Sequence, residues 1–257
     1  MNTHAIMNQL ETIIKSAGAM VCEGRQHSIR QKGGSANIVT DVDEAVQNAL
    51  IAQLTPLVPG AGFIAEESET YHQTEGYQWV IDPIDGTTNF AYDYRHSAIS
   101  IALICHNEAQ LAMVFQPYSR ELFSAVKGQG AFLNGQRIHA AQHSMADSLF
   151  LCGTTPYDKG KAERTFSRIR QFFLEGRDIR RSGSAVLDLC YLAAGRADGF
   201  YEEALSPWDY AAGALIAQEA GAVVESIQGE WTYAHPIGII GGTPQNIGDI
   251  RRIVHMP

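Results

Sequence analysis

The stretch Trp79-Val80-Ile81-Asp82-Pro83-Ile84-Asp85-Gly86-Thr87-Thr88-Asn89-Phe90 decides how the rest of the chain is read. Three apolar residues run into a carboxylate, a proline stiffens the step to a second carboxylate, and a small Gly-Thr-Thr segment follows. Carboxylates three residues apart on a turning chain can converge on hard cations, which prefer oxygen ligands. Gly86 and Thr87 lack bulk, and their backbone N–H groups suit the start of a helix that faces a phosphate. The competing reading is an ordinary turn, because Asp, Pro and Gly are common turn residues.

Working outward, Phe63-Ile64-Ala65 runs into Glu66-Glu67, a second apolar strand that ends in acids. Strands that enter one sheet side by side place their ends together, so this pair and Asp82/Asp85 are expected to form one acidic cluster. Trp208-Asp209 opens a helix of small residues, Ala211-Ala212-Gly213-Ala214, which must pack closely against a neighbour. Asp209 reads either as that helix's N-cap or as a further acid brought into the cluster. Before the signature, Ile6, Leu10, Ile13, Ile14, Ala17, Met20 and Val21 recur at helical spacing. A Gly-rich stretch, Lys32 to Ser35, leads through an extended run to Thr40, where Val42, Ala45, Val46, Ala49 and Leu50 mark a second helix. After it, Ser97–Ile104, Leu111–Phe115 and Glu121–Val126 read as an antiparallel meander. Asn134-Gly135 is a hairpin turn between Ala131–Leu133 and Arg137-Ile138. Beyond it, Leu149–Cys152, a helix over about 161–173, then Ala185–Ala193, Phe200-Tyr201 and Tyr210–Ala220 alternate in an α/β rhythm. No repeat or linker interrupts the chain, so 1–257 is expected to be a single catalytic domain with a soft subdivision near residue 145.

Composition bounds the function. The 257 residues are 45% hydrophobic and 18% charged, enough apolar material for a core and too little charge for a disordered chain. Nineteen Lys and Arg against 28 Asp and Glu give a net charge of −9, which argues against nucleic-acid or anionic-membrane partners. Carboxylates that hold divalent cations nevertheless present positive charge to a phosphate. Cys22, Cys105, Cys152 and Cys190 form no CxxC pair, no histidines form an HExxH cluster, and no GxxxxGK[ST] or CxxxxxR loop is present. There is no leader-like segment and no run of 18 apolar residues, so a cytoplasmic location is expected.

The segment Asp82–Phe90, with Glu66-Glu67-Ser68 before it and Trp208–Gly213 and Glu219-Ala220-Gly221 after it, resembles the inositol monophosphatase family of lithium-sensitive, magnesium-dependent sugar phosphatases. The resemblance covers nearly the whole chain, from Thr40–Asp43 through Gly183-Ser184-Ala185 to Gly221. It implies an α+β fold, the layered α-β-α-β-α sandwich of the sugar phosphatases. It implies a first magnesium held by Glu66, Asp82 and the Ile84 carbonyl, a second held by Asp82, Asp85 and Asp209, and a third reached by Glu66 through water. Thr87 would polarise the attacking water with help from Asp43 or Glu66. The Gly86 and Thr87 amides would bind phosphate, and Asp85, Asp209, Gly183, Ser184, Ala185 and Glu202 would complete the substrate site. The expected activity is hydrolysis of inositol monophosphate or a related small polyol phosphate by a lithium-sensitive homodimer. The same machinery could instead serve fructose 1,6-bisphosphate, histidinol phosphate, NADP or a 3′-phosphonucleotide, and a regulatory binding protein on this fold is the alternative from another class.

The chemistry agrees with these roles. A phosphate monoester dianion repels hydroxide, so charge neutralisation is the main requirement, and it calls for clustered carboxylates and an anion-binding turn but no covalent nucleophile. Some features depart from the family pattern. Asp41 lies beside Asp43, and the spacing from Thr40 favours Asp43 for the site. Arg95 stands where a proline is common. Lys32 is expected on a loop over the site or in solvent, one residue of the Arg180-Arg181 pair in solvent or at a subunit contact, and Lys161, Arg164 and Arg168 on a solvated helix face.

Overall fold

The computed structural model describes residues 3–24, 28–34, 37–67 and 76–256; Ser35 and Ser68 lie outside the described residues. In chain order the elements are α1 (Thr3–Glu23), β1 (Ile29–Gly34), β2 (Asn37–Thr40), α2 (Asp41–Leu54), β3 (Gly62–Ala65), β4 (Tyr77–Asp85), α3 (Thr87–Ala91), β5 (Ala98–Cys105), β6 (Glu108–Gln116), β7 (Glu121–Val126), β8 (Gly130–Leu133), β9 (Gln136–Ile138), β10 (Leu149–Cys152), α4 (Ala162–Glu175), β11 (Asp178–Arg180), α5 (Ala185–Ala193), β12 (Gly199–Leu205), α6 (Pro207–Glu219), β13 (Val223–Ser226), β14 (Ile237–Gly242) and α7 (Ile247–Val254). Among the described residues the strands form a seven-stranded sheet in the order β3 to β9, a five-stranded sheet in the order β11-β10-β12-β14-β13, and a β1-β2 ribbon.

Alternation along the strands builds the layers, because successive side chains leave opposite faces. On β4 and β5, Trp79, Ile81, Ile99 and Ile101 face the apolar stripes of α1 and α2, including Leu10, Ile14, Val46 and Leu50. Val80, Ala98 and Ala102 face the other way, against α5 and α6. Those two helices also cover the inner face of the five-stranded sheet through Phe200, Leu205 and Ile239. The outer face of that sheet packs Phe150, Tyr201 and Ile240 against Ile169 and Phe172 of α4 and Ile250 of α7. The result is the expected α-β-α-β-α sandwich. The core around α5 and α6 joins residues from both sheets, and the step from β9 to β10 falls near residue 145.

Small residues on α6 let it lie close to α5: a Cβ on Gly213 would meet the Leu189 Cβ at 2.7 Å. The hairpin turn between β8 and β9 has Asn134 at φ 49° and Gly135 at φ 77°, as a two-residue turn with both central residues left-handed requires. The sequence pattern does not separate β11, β13 and β14, which are short and continuously apolar or follow no alternation, whereas α7 carries Ile247, Ile250, Ile253 and Val254 at helical spacing and was missed.

Candidate active site

The site forms where β3 and β4 end beneath the first turns of α5 and α6. The parallel register pairs Ala65 with Ile81, so Glu66 and Asp82 leave their strands level with one another. On β4, Asp82 lies opposite Ser100 and Asp85 opposite Ala98, so three steps on β4 match two on β5. Pro83 and Ile84 therefore form a bulge with one extra residue, and Asp82 and Asp85 emerge on the same face although they are three apart. Asp209 comes from α6, whose main chain is held to the sheet by Ser100 Oγ, 3.4 Å from the Trp208 carbonyl. It is residue N3 of the helix: Ser206 is the N-cap, and the Ser206 N–H donates to Asp209 Oδ2 at 2.7 Å. This corrects the reading of Asp209 as the cap itself.

Carboxylate oxygens of Asp82, Asp85 and Asp209 lie within 4.8 Å of one another. All three border a cavity of about 810 Å³, with Glu66 and the Gly86-Thr87 turn on its wall. Burial, then repulsion from Glu66, Asp85 and Asp209, pushes Asp82 well above the ordinary carboxylate range. Burial likewise raises Asp85 to about 6, against the lowering effect of its hydrogen bonds. Asp209 is raised well above its usual value by its enclosure and by the Asp85 and Glu66 charges. Acids that repel one another in a shared site and offer only oxygen donors fit hard divalent cations.

The Gly86-Thr87 turn is locked in place. Gly86, at φ 89°, caps α3, and a side chain there would be strained and would press on the His96 and Gly183 carbonyls. Asn89 Nδ2 donates to the His96 carbonyl at 2.7 Å and to the Ser182 carbonyl at 2.9 Å, tying the turn to the loop before α5. Behind it, Thr87 Oγ1 lies 3.2 Å from Asp43 Oδ1 and 3.1 Å from the Ile84 carbonyl. Asp43 is fully buried in a capping box with Thr40, and burial raises its carboxyl to about 6. It stands behind Thr87 and does not border the cavity. Asp41 is exposed and accepts from the Ser28 N–H at 2.9 Å, away from Thr87.

Gly183, Ser184, Ala185 and Glu202 border the same cavity. Ser184 Oγ donates to Asp85 Oδ2 at 2.6 Å and the Val186 N–H donates to the same oxygen at 2.8 Å, so this hydroxyl orients a carboxylate. Glu202 Oε1 accepts from the Thr155 N–H at 2.9 Å, and burial raises its carboxyl to about 7. Lys32, on β1, reaches the site: its Nζ is 3.2 Å from Glu66 Oε1 and also pairs with Glu67.

Sequence reasoning missed Gly153, Asp188, Arg181 and Tyr157, which also border the cavity. Gly153 directly follows β10, and a Cβ there would run into the Glu202 carboxylate. Asp188 lies one turn after Ser184, a spacing that places it on the same helix face. Arg180 pairs with Asp178 in solvent, as expected for one residue of the arginine pair, whereas Arg181 turns to the cavity, 3.3 Å from Thr154 Oγ1. The expectation of a solvated Lys161, Arg164 and Arg168 face holds for Arg164, whose side chain is 56% exposed, and fails for Arg168. Arg168 is largely buried against Glu203, Arg164 lies 2.9 Å from Glu203, and Lys161 borders the cavity while pairing with Asp158. The acid that captures both arginines comes from the back of β12, which helix spacing cannot reveal. Arg95 lies exposed beside Asp93.

Among the described residues no helix is long and apolar enough to cross a membrane. The sequence matches the inositol monophosphatase family profile over residues 3–255. It is 41% identical over 214 residues to the Nus factor SuhB of Salmonella typhimurium, covering 82% of this chain and 80% of that protein. It is 37% identical over 226 residues to the inositol-1-monophosphatase of Rhizobium meliloti, covering 87% and 85% of the two chains. The crystal structure of the extragenic suppressor protein suhB from Bartonella henselae superimposes with a TM-score of 0.89 at 30% identity, covering 98% of each chain. With this profile match, these relatives and a carboxylate cluster suited to metal, the chain belongs to the inositol monophosphatase family, a family of metal-dependent phosphatases.

Proposed function

We propose that the protein is a magnesium-dependent phosphomonoesterase acting on inositol monophosphate or a related small polyol phosphate. The observation that carries the reading is the convergence of Asp82, Asp85 and Asp209 within 4.8 Å beside the Gly86-Thr87 turn. Glu66, Asp82 and the Ile84 carbonyl would hold one magnesium, Asp82, Asp85 and Asp209 a second, and Glu66 a third through water. Bound there, the cations would neutralise the phosphate dianion, acidify a water molecule and stabilise the leaving alkoxide.

The chain's own groups do the rest. The Thr87 hydroxyl directs its proton toward Asp43 or the Ile84 carbonyl, which leaves its lone pairs free to accept a hydrogen bond from the attacking water. Asp43, with a carboxyl near pH 6, is placed to take up that proton through Thr87. The N–H groups of Gly86 and Thr87, at the open end of α3, bind the phosphate oxygens. Glu202, Gly183, Ala185 and Asp209 border the space for the alcohol. The whole chain acts as one catalytic unit, and the family resemblance supports a lithium-sensitive, cytoplasmic homodimer.

Phosphate release from inositol 1-phosphate, fructose 1,6-bisphosphate, NADP, histidinol phosphate and 3′-phosphoadenosine 5′-phosphate, with magnesium and with EDTA, tests the reading. Magnesium-dependent turnover led by the inositol ester is expected. No turnover on any ester by folded, magnesium-binding protein would overturn it. A second reading is favoured by the name of the Salmonella relative, a Nus factor, and holds that the chain works through a macromolecular partner. An Asp209→Asn variant separates the two, since a cellular phenotype lost with it belongs to catalysis and one retained belongs to the partner role.

A further inference from the structure

Eight large apolar side chains are exposed among the described residues, and three of them, Ile29, Tyr92 and Tyr157, border the cavity that holds the acids. They come from β1, from the C-cap of α3 and from the loop after β10, so separate parts of the chain bring apolar surface to one opening. Exposed apolar residues scattered singly need no explanation, whereas their gathering at a ligand cavity marks a binding surface. Tyr157 is the most firmly presented of the three. The Asp158 N–H donates to the Thr155 carbonyl at 3.1 Å, which closes a turn with Pro156 and Tyr157 at its tip. The turn is held at both ends: the Thr155 N–H donates to Glu202 Oε1 at 2.9 Å, and Asp158 pairs with Lys161 at 2.9 Å. Thr155 itself lies in the left-handed region at φ 42°, which a β-branched residue rarely adopts. Such strain persists where surrounding contacts enforce it, and here those contacts fix where the Tyr157 ring stands.

The residue is 66% exposed, yet burial of its hydroxyl, then the charges of Asp209, Glu66, Asp85 and Asp82, raise that hydroxyl above the ordinary phenol range. The hydroxyl end therefore faces the acids, and the ring stands at the mouth of the cavity. The cavity, at about 810 Å³, lies in the upper part of the range for drug-sized ligands, and a small polyol phosphate fills only part of it. With the phosphate held between the acids and the Gly86-Thr87 turn, the far end of the alcohol part extends toward the open side. We propose that Tyr157 is a specificity-determining residue whose ring packs, with Tyr92 and Ile29, against an aromatic ring on the alcohol part, so that aryl phosphomonoesters are substrates beside the small polyol esters. This rests on the phosphomonoesterase reading. Two of the three side chains are themselves flat rings, which favours an aromatic group over a branched aliphatic one.

The test compares kcat/KM of the full chain with magnesium on 2-naphthyl phosphate and on glycerol 2-phosphate, whose alcohol part carries no ring. The unaltered protein should hydrolyse both, and Tyr157→Ala is expected to lower the ratio of naphthyl ester to glycerol ester by roughly 10-fold. Tyr157→Phe keeps the ring and should keep the ratio. Tyr92→Ala should lower it by roughly threefold. A ratio unchanged in Tyr157→Ala would overturn the proposal, and so would an equal fall in Tyr157→Phe, which would assign the effect to the hydroxyl. An unchanged ratio with a shift to lower mass in sedimentation would assign the exposed rings to a contact between copies, and would equally overturn it. Turnover of the glycerol ester alone by the unaltered protein would overturn the proposal while leaving the phosphomonoesterase reading intact. No turnover of either ester by folded, magnesium-binding protein would overturn both.

Discussion

Glu202 and Glu203 are neighbours on one strand and are both buried, but they face opposite layers of the sandwich. Glu203 points to the outer face, where Arg168, Arg164 and the Tyr201 hydroxyl, 2.5 Å away, surround it with donors. Glu202 points inward, toward a cavity it shares with Asp82, Asp85, Asp188 and Asp209. On the outer face each buried charge has its counter-charge supplied by the chain. On the inner face the acids outnumber the nearby basic groups, and burial with mutual repulsion raises their pKa values. Buried charge that the chain neutralises serves the fold, and buried charge that it leaves uncompensated marks where a cation and a ligand belong.

The largest effect expected from this contrast is at the inner face. Asp85→Asn should lower kcat by roughly 1,000-fold, because it removes a carboxylate oxygen from the proposed cation site. The same change should raise the melting temperature of the EDTA-treated protein by relieving repulsion. A lowered melting temperature in EDTA would break the comparison. Glu203→Gln should do the reverse, costing about 3 kcal/mol in urea unfolding because Arg168 stays buried without its counter-charge. Turnover per folded molecule should change little.

The pH dependence of stability sharpens the same contrast. Asp43 and Asp85 have folded-state pKa values near 6, above the ordinary carboxylate value, so the folded chain holds protons more tightly than the unfolded one. Their contribution is complete below about pH 4 and is lost as pH rises through about 6. In EDTA the melting temperature should therefore decline by several degrees between pH 5 and 7.5, and magnesium should abolish that decline. The surface acids Glu175 and Glu225, held low by Arg252 and Arg251, act in the opposite sense and weaken the fold only when pH falls below the carboxylate range. A smaller effect is expected at Gly153, where alanine would displace the Glu202 carboxylate and raise KM about tenfold.

Much of this was legible in the sequence, for reasons that differ by element. Strands β4 to β9 could be read because their turns carry explicit signals, such as Asn134-Gly135. The start of α2 was legible because Val42, Ala45, Val46, Ala49 and Leu50 recur at helical spacing just after Thr40. The acid-ended strands pointed to Glu66 and Asp82, since parallel neighbours must end side by side. The fate of Arg164 and Arg168 was hidden, because their partner Glu203 lies 35 residues beyond Arg168 on another element. The role of Ser184 was hidden too: its hydroxyl serves Asp85, 99 residues away. Contacts across that separation leave no local pattern.

The bulge at Pro83 and Ile84 has a consequence for the way this site can change. A sheet counts its residues in twos, while the two aspartates are spaced by three, and the extra residue corrects the parity. Deleting Pro83 or Ile84 would keep every acid in the chain, but one of two things would have to give. Either Asp85 turns toward α1 and α2, or β4 slips against β5 and carries Trp79 and Ile81 out of their layer. The fragile quantity here is a spacing, more than the identity of any one acid. An insertion or deletion in this short interval should silence the site more completely than most substitutions within it.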